Sequence, residues 1–484
     1  MINNISKKNL ILFFIFIIGG ILRLYNINYD DLWSDEMISY WLSDPSRNFY
    51  DTIILVFESN LMVTYELGLK YFHYIFGYNF EISRYFSVII GILSIILFSF
   101  LLNSNSNSKS VIFGTFLLAI NIYHIKYSLE LRSYILTFLL GIILLQLIFS
   151  NSSEREKITF IRGFFIFLIS LLMLFSHSFS IIILFSLNLY FLIKFIFFKK
   201  ISKNQISIIL LTTLACGLFL FFYLQNITHT PYWVENVKLS FYTNFYFSKF
   251  FGSRIIGLIY LISLIYLIIK QKNIFKKLDI NFYFLILIFF SYFLPLLYSY
   301  IFNPVLVDRY IFFVLIPVIF LISKFVFLVE SKLIRNLIII IITFVTLANH
   351  LLKENTFRQF YTDIHPTKPD IGAVFAKINE TKIMQYTFLM NNKNDLSNEL
   401  YKNHNEIYKN YLIQYSRMSN LENKFIDYKT QTYDKLPERF WIIYLKDITN
   451  KNFVIPEKLI NYNILNKYFY NRVELYLLEK KLIN

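Results

Sequence analysis

Four carboxylates fall within seven residues in Asp30-Asp31-Leu32-Trp33-Ser34-Asp35-Glu36, just after the first long apolar run of a mostly apolar chain. A carboxylate placed there can take a proton from a hydroxyl group. Neighbouring residues point in different directions, so Asp35 and Glu36 divide into one that faces a reacting group and one that holds structure or a second partner. A second constellation is Lys126-Tyr127-Ser128-Leu129-Glu130-Leu131-Arg132-Ser133-Tyr134. Arg132, through its planar fork, and Lys126, as a point charge, suit a phosphate. Glu130 can orient the arginine or act as a further carboxylate, between Tyr127 and Tyr134. Four other polar groups recur between apolar runs: Asn60 with Tyr65 and Glu66, His177-Ser178, His229 to Glu235, and Asp308-Arg309-Tyr310. Together they offer a base and several cations, the requirements for displacing a phosphate leaving group from a sugar.

Each feature also has a plainer reading. Loop acids solvate, and Asp30, Asp31, Asp44 and Asp51 are read that way. Glu130 and Arg132 paired across a surface turn contribute about 0–1 kcal/mol. Arg309 at the end of an apolar run snorkels to the interface. His177 is a polar terminator, with no His-x-x-x-His or acidic neighbour of metal-ligand spacing. Asp35 and Glu36 can hold a divalent ion, but no metal cluster is visible, and no cofactor is implied with certainty.

The elements that must position these residues are membrane helices. The chain has 484 residues, 56% hydrophobic and 20% aromatic, with a mean hydropathy of +0.52. Apolar runs of near-spanning length recur at about 9–27, 84–102, 110–124, 133–149, 160–176, 179–197, 205–224, 254–269, 281–301, 310–328 and 335–351, predicting eleven spans. The net charge of +16 lies largely between these runs, with no basic stripe interleaved with aromatics, which argues against nucleic acid as a partner. Cys216 is the one cysteine, so no intramolecular disulfide forms. The first run follows Lys7-Lys8 but ends in Arg23-Leu24-Tyr25 without a small-residue cleavage site, and reads as a retained helix.

Orientation follows from loop charge. If the moderately apolar 61–77 segment lies along the membrane surface, seventeen Lys and Arg residues fall in loops of one phase and five in the short loops of the other. The richer phase is cytoplasmic. The amino terminus is then cytoplasmic, and the acidic stretch, residues 124–133, His177, the 225–253 loop, residues 302–310 and everything after about 352 share the external face. Residues 352–484 hold 20 of the 47 basic and 15 of the 31 acidic residues without a membrane-length run. Runs such as Ile383 to Met390 and Trp441 to Leu445 read as strands there. The expected fold class is an all-α polytopic membrane bundle over 1–351, with a large first external loop at about 28–83 bearing interfacial helices, and a small external α/β domain over 352–484. The expected location is the cell (inner) membrane.

The first-loop segment from Leu22-Arg23-Leu24 through Leu32-Trp33-Ser34-Asp35-Glu36-Met37-Ile38-Ser39-Tyr40 resembles the signature of the C-fold membrane glycosyltransferases related to protein O-mannosyltransferases and bacterial lipid A aminoarabinose transferases (families 39 and 83). The same order continues through Asn60-Leu61-Met62 to Tyr65, Phe76-Gly77, Glu81 to Arg84, Tyr127 to Tyr134, His177, and Asp308-Arg309-Tyr310 leading into Pro317. The resemblance covers about residues 10–330. It implies a polyprenyl-phosphate-linked sugar as donor, a glycan, lipid or protein acceptor at the external face, inverting displacement, and Asp35 as the base with Glu36 beside it. It also implies Arg132 and Arg309 as phosphate holders, with Tyr127, Tyr134 and Tyr310 around them. One departure is Leu61-Met62-Val63-Thr64-Tyr65, where many relatives have a His-Pro-Pro or Lys-Pro-Pro turn, so acceptor specificity does not carry over. A transporter would place ionisable residues near the bilayer midplane and break its helices in paired halves. An O-antigen ligase or polymerase would place its large external loop late. These remain the alternatives.

Overall fold

The computed structural model describes the chain apart from residues 1–6, 26, 29, 60, 151–158, 199–201, 227–233, 272–277, 353–367, 391–403, 428–431, 433–434, 447–452 and 482–484. Asn60 and His229 therefore lie outside the described residues. The chain divides into two compact units. One comprises 1–25, 60–68 and 85–362, and the other 26–59, 69–84 and 363–484. This differs from the expected cut at 351/352, because most of the first loop is counted with the carboxyl-terminal residues.

The first unit is helical. A helix covers each of the eleven expected stretches, but the count of eleven spans is not supported. Among the described residues six helices are long and apolar enough to cross a bilayer: Phe80–Asn105, Ser178–Phe197, Lys203–Gln225, Ile280–Ile301, Asp308–Leu328 and Lys332–His350. A seventh is Ser108–Ala119 with Ile122–Ser128, if that pair, bent by 57°, is one span. The shortfall is one of length and charge. Tyr134–Phe149 and Phe160–Leu174 are shorter apolar helices. Arg254–Lys270 has 17 residues, and Lys7–Leu24 carries Lys7, Lys8 and Arg23 within 18.

The distribution of apolar surface explains why these helices need lipid. Lys203–Gln225 is strongly apolar yet mostly unburied, and Leu210, Leu214 and Phe221 stand exposed. Such a face is untenable in water and is the solvated state in hydrocarbon. Asp308–Leu328, by contrast, is 83% buried and forms much of the packed interior with Phe312, Val314, Ile316, Val318 and Phe320.

The second unit is built on a four-stranded sheet of order β1-β2-β4-β3, with β1 Tyr386–Met390, β2 Arg439–Leu445, β3 Tyr462–Tyr470 and β4 Val473–Lys480. β1 and β2 run parallel, and β4 is antiparallel to both of its neighbours. The expected strands at Ile383 to Met390 and Trp441 to Leu445 correspond to β1 and β2. Six of the seven residues of β2 are buried, which is why Phe-Trp-Ile-Ile-Tyr-Leu reads as a continuous apolar run and not an alternating one. Helix His404–Met418 lies in the crossover between the parallel strands, as a parallel pair requires. Short helices Ser34–Leu42 and Phe49–Glu58 come from the first loop.

Candidate functional site

In the second unit the acidic stretch is sorted by burial. Glu36 is wholly buried, and its Oε2 lies 2.6 Å from Lys368 Nζ and 3.7 Å from Arg84 Nη2. It also accepts the Trp33 N–H at 3.3 Å, at the amino end of helix Ser34–Leu42. Arg84 is itself buried and donates to the carbonyls of Ile27 and Asp31, each at 3.1 Å, and of Asp30. Glu36 is thus the centre of an ion-pair cluster tying three segments of one unit together.

Asp31 is not a solvated loop acid. Its Oδ2 accepts the N–H groups of Ile371 at 2.6 Å and Gly372 at 2.9 Å in the first turn of helix Ile371–Asn379, whose N-cap is Asp370, and Tyr415 donates to Oδ1. Burial raises its carboxyl above the ordinary range, and these three donors pull in the opposite direction. Tyr411 accepts the Leu32 N–H at 3.0 Å. Asp44 and Asp51 serve local turns: Asp44 accepts from Ser46, and Asp51 closes the Asn48 cap. Asp35 is left partly exposed on the first turn of its helix.

The first unit brings together the other candidates. Tyr123 and Tyr127 project from Ile122–Ser128 with ring centroids 4.6 Å apart, and Tyr127 meets Tyr134 at 5.3 Å. Tyr134 meets His177 at 5.3 Å, and His177 meets Tyr310 at 5.0 Å. Phe312 backs this row, 5.3 Å from Tyr127 and 4.8 Å from Phe138. Three cations sit on the row's faces: Lys126 on Tyr127 at 5.5 Å, Arg132 on Tyr134 at 5.9 Å and Arg309 on Tyr310 at 5.8 Å. The Lys126 ammonium is 3.9 Å from buried Glu130. Tyr123 donates to Asp308 Oδ2 at 2.8 Å, fixing the start of the 3₁₀ segment Asp308–Val314 that carries Arg309 and Tyr310.

His177 registers both arginines. Burial, and then the positive charges of Arg132 and Arg309, lower its imidazole to about 3, so it stays neutral. Its Nδ1 accepts the Phe179 N–H at 3.2 Å, which leaves the proton on Nε2. The arrangement is an aromatic trough with two guanidiniums and an ammonium on it, chemically suited to an anion attached to an apolar body.

Tyr65 and Glu66 belong to helix Val63–Phe76. Tyr65 is buried with its hydroxyl 2.7 Å from Ser87 Oγ, and Glu66 is buried as well. Glu235 pairs at the surface with Lys238 at 2.8 Å. Among the described residues no group of three or more His, Cys, Asp and Glu side chains is placed to hold a metal ion. Sequence reasoning missed Tyr123 and Lys368, and reached Arg84 only as the end of the Glu81 to Arg84 stretch, without a role. Tyr123 lies just ahead of the Lys126 to Tyr134 constellation, one helical turn before Tyr127, which was the available signal, whereas nothing local marks Lys368.

No protein-family model matches the chain, and no curated protein matches its sequence. Solved structures do match. The archaeal oligosaccharyltransferase AglB from Archaeoglobus fulgidus, in complex with an inhibitory peptide and a dolichol-phosphate, is similar at a TM-score of 0.50 and 9% identity, over 90% of this chain and 69% of that one. ArnT from Cupriavidus metallidurans, in the apo state, is similar at a TM-score of 0.50 and 8% identity, over 97% of each chain. The apolar helices and these two neighbours together make the chain a multi-pass membrane protein with the GT-C fold of membrane glycosyltransferases.

Proposed function

We propose that the protein is an integral membrane glycosyltransferase that moves a sugar from a polyprenyl-phosphate donor to an acceptor at the external face, with inversion. Asp35 takes the acceptor hydroxyl proton as that oxygen bonds to the anomeric carbon. The bond from the anomeric carbon to the phosphate oxygen breaks, and polyprenyl phosphate leaves with the electron pair. Arg132 and Arg309 hold the phosphate and stabilise the charge it gains, with Lys126 as a third cation and Tyr127, Tyr134 and Tyr310 bracketing the group. Glu36 takes the structural half of the Asp-Glu pair.

The observation that carries this reading is that Arg132 lies over Tyr134 and Arg309 over Tyr310, the two rings that flank His177, within one aromatic row of a GT-C fold. A bundle with only a structural role has no need of three cations on that row. The glycosyltransferase fold of both neighbours and the dolichol-phosphate in the AglB structure support a lipid-linked donor. The test is transfer in proteoliposomes supplied with defined polyprenyl-phosphate sugars. Asp35→Asn is expected to lower kcat by roughly 10²- to 10⁴-fold, and Arg132→Ala to weaken donor binding. Full transfer by Asp35→Asn, or normal phosphate binding by Arg132→Ala, would overturn the respective assignment.

A further inference from the structure

The apolar helix pair Ser108–Ala119 and Ile122–Ser128 is bent by 57° at Ile120-Asn121. A break buried in the packed interior frees backbone carbonyls that need donors from the protein itself. Arg23 and His350 supply the missing donors. Arg23, wholly buried, donates from Nη1 to Ala119 O at 2.9 Å and to Gly19 O of its own helix at 2.8 Å. Its Nη2 lies 2.7 Å from His124 Nδ1, and its Nε donates to Ser128 Oγ at 3.2 Å. One guanidinium therefore grips the limb before the break, through Ala119, and the limb after it, through His124 and Ser128. His350 Nε2 reaches Ile120 O at 2.5 Å, and Asn121 caps the second limb by accepting the His124 N–H at 2.8 Å.

The neighbouring helices are shaped around this grip. A Cβ on Gly91 would lie 2.2 Å from Ser128 Oγ and 3.6 Å from Arg23 Cδ. One on Gly19 would lie 2.9 Å from Ile95 and 3.4 Å from the Ala119 Cβ. Among the described residues no carboxylate is paired with Arg23, so its charge serves carbonyls, a hydroxyl and a neutral imidazole. Such an expensive side chain in a bundle marks a function.

We infer that Arg23, assisted by His350, is a positioning residue that sets the bend and thereby aims the limb carrying Tyr123, Lys126 and Tyr127 and the turn with Glu130 and Arg132. The seven-residue second limb is roughly 10 Å long at 1.5 Å per residue. A 20° relaxation of the bend carries its far end about 3–4 Å, when about 1 Å of misplacement can cost 10²-fold in rate. That functional consequence rests on the reading of Arg132 and Arg309 as phosphate holders.

Spin labels at Lys109→Cys and Lys126→Cys in a Cys216→Ser background report the bend directly. Arg23→Met is expected to lengthen that distance by roughly 1–2 Å for a 20° relaxation and to broaden its distribution, with Arg23→Lys intermediate and His350→Phe as a milder variant should Arg23→Met fail to fold. Without labels, Arg23→Met is expected to bind a short-chain polyprenyl phosphate at least tenfold more weakly, partly rescued by Arg23→Lys. An unchanged distance in both Arg23→Met and His350→Phe overturns the bracing role. A lengthened distance with unchanged polyprenyl phosphate affinity, while Arg132→Ala abolishes binding, overturns the positioning role. Normal binding by Arg132→Ala defeats the phosphate reading instead, and bracing is then decided by the distance alone.

Discussion

Replacing Glu36 with alanine removes the carboxylate that Lys368 approaches at 2.6 Å, Arg84 at 3.7 Å and the Trp33 N–H at 3.3 Å. Breaking a buried pair by deleting one partner costs about 3–5 kcal/mol, because the surviving charge stays buried. Arg84 is almost fully buried, but the Lys368 side chain retains 15% exposure and can turn to water, so the lower end, about 3 kcal/mol, applies. For a unit of this size each kcal/mol shifts Tm by roughly 2–4 °C, so the variant should melt about 6–12 °C lower. The assay is thermal unfolding of the full chain in detergent, with protease sensitivity of the first loop and of residues after 368 read in parallel. A cycle of Glu36→Gln with Lys368→Met should give a coupling above about 1 kcal/mol. If Glu36→Ala instead melted within about 2 °C of the parent yet lost all transfer, the anchor argument would be refuted and Glu36 would be the chemical group.

Three further outcomes follow from named contacts. His73 is buried between the Ser43 carbonyl at 3.2 Å and Ser83 Oγ at 2.7 Å, and burial lowers its imidazole to about 4. The unfolded chain, titrating near pH 6.5, binds more protons between pH 6.5 and 4, so this contribution is fully present above that window. It is lost at up to about 1.4 kcal/mol per pH unit as pH falls through the window, and His73→Gln should flatten the profile measured by hydrogen exchange. Asp31→Ala leaves the Ile371 and Gly372 N–H groups without their acceptor while the Asp370 cap stays, at a cost of about 1–3 kcal/mol, seen as faster exchange at those two amides. Gly91→Ala should destabilise by about 1–3 kcal/mol through its clash with Ser128, whereas Gly217→Ala, with nothing within 4 Å of the added Cβ, should stabilise its helix by up to about 1 kcal/mol in thermal melts.

What could be read in advance depended on whether the cause was local. Apolar runs and β-rich stretches are local, so helix positions and strands β1 and β2 were legible. Span number was not, because the apolar runs do not show how short or charged the helices they form are, nor where a run bends. Asn121, a cap residue inside the expected 110–124 run, was the one available sign of the break. The cation constellations were legible because Lys126, Arg132 and Arg309 flank aromatic residues in sequence as well as in space. The division of labour among the first-loop acids was not, since burial of Glu36 depends on Lys368, 332 residues away, and that of Asp31 on Tyr415. Arg23 had no acidic partner in sequence to draw attention to it, and its partners are backbone carbonyls that every sequence has.

The most direct test of the central claim is mass spectrometry of the host's lipid-linked sugars and surface glycans with and without this protein. The account predicts that loss causes a polyprenyl-phosphate sugar to accumulate and the same sugar to vanish from a surface glycan or other acceptor. The parent chain should restore the pattern and Asp35→Asn should not. Unchanged lipid-linked sugars and glycans in the deletion, or full restoration by Asp35→Asn, would contradict it.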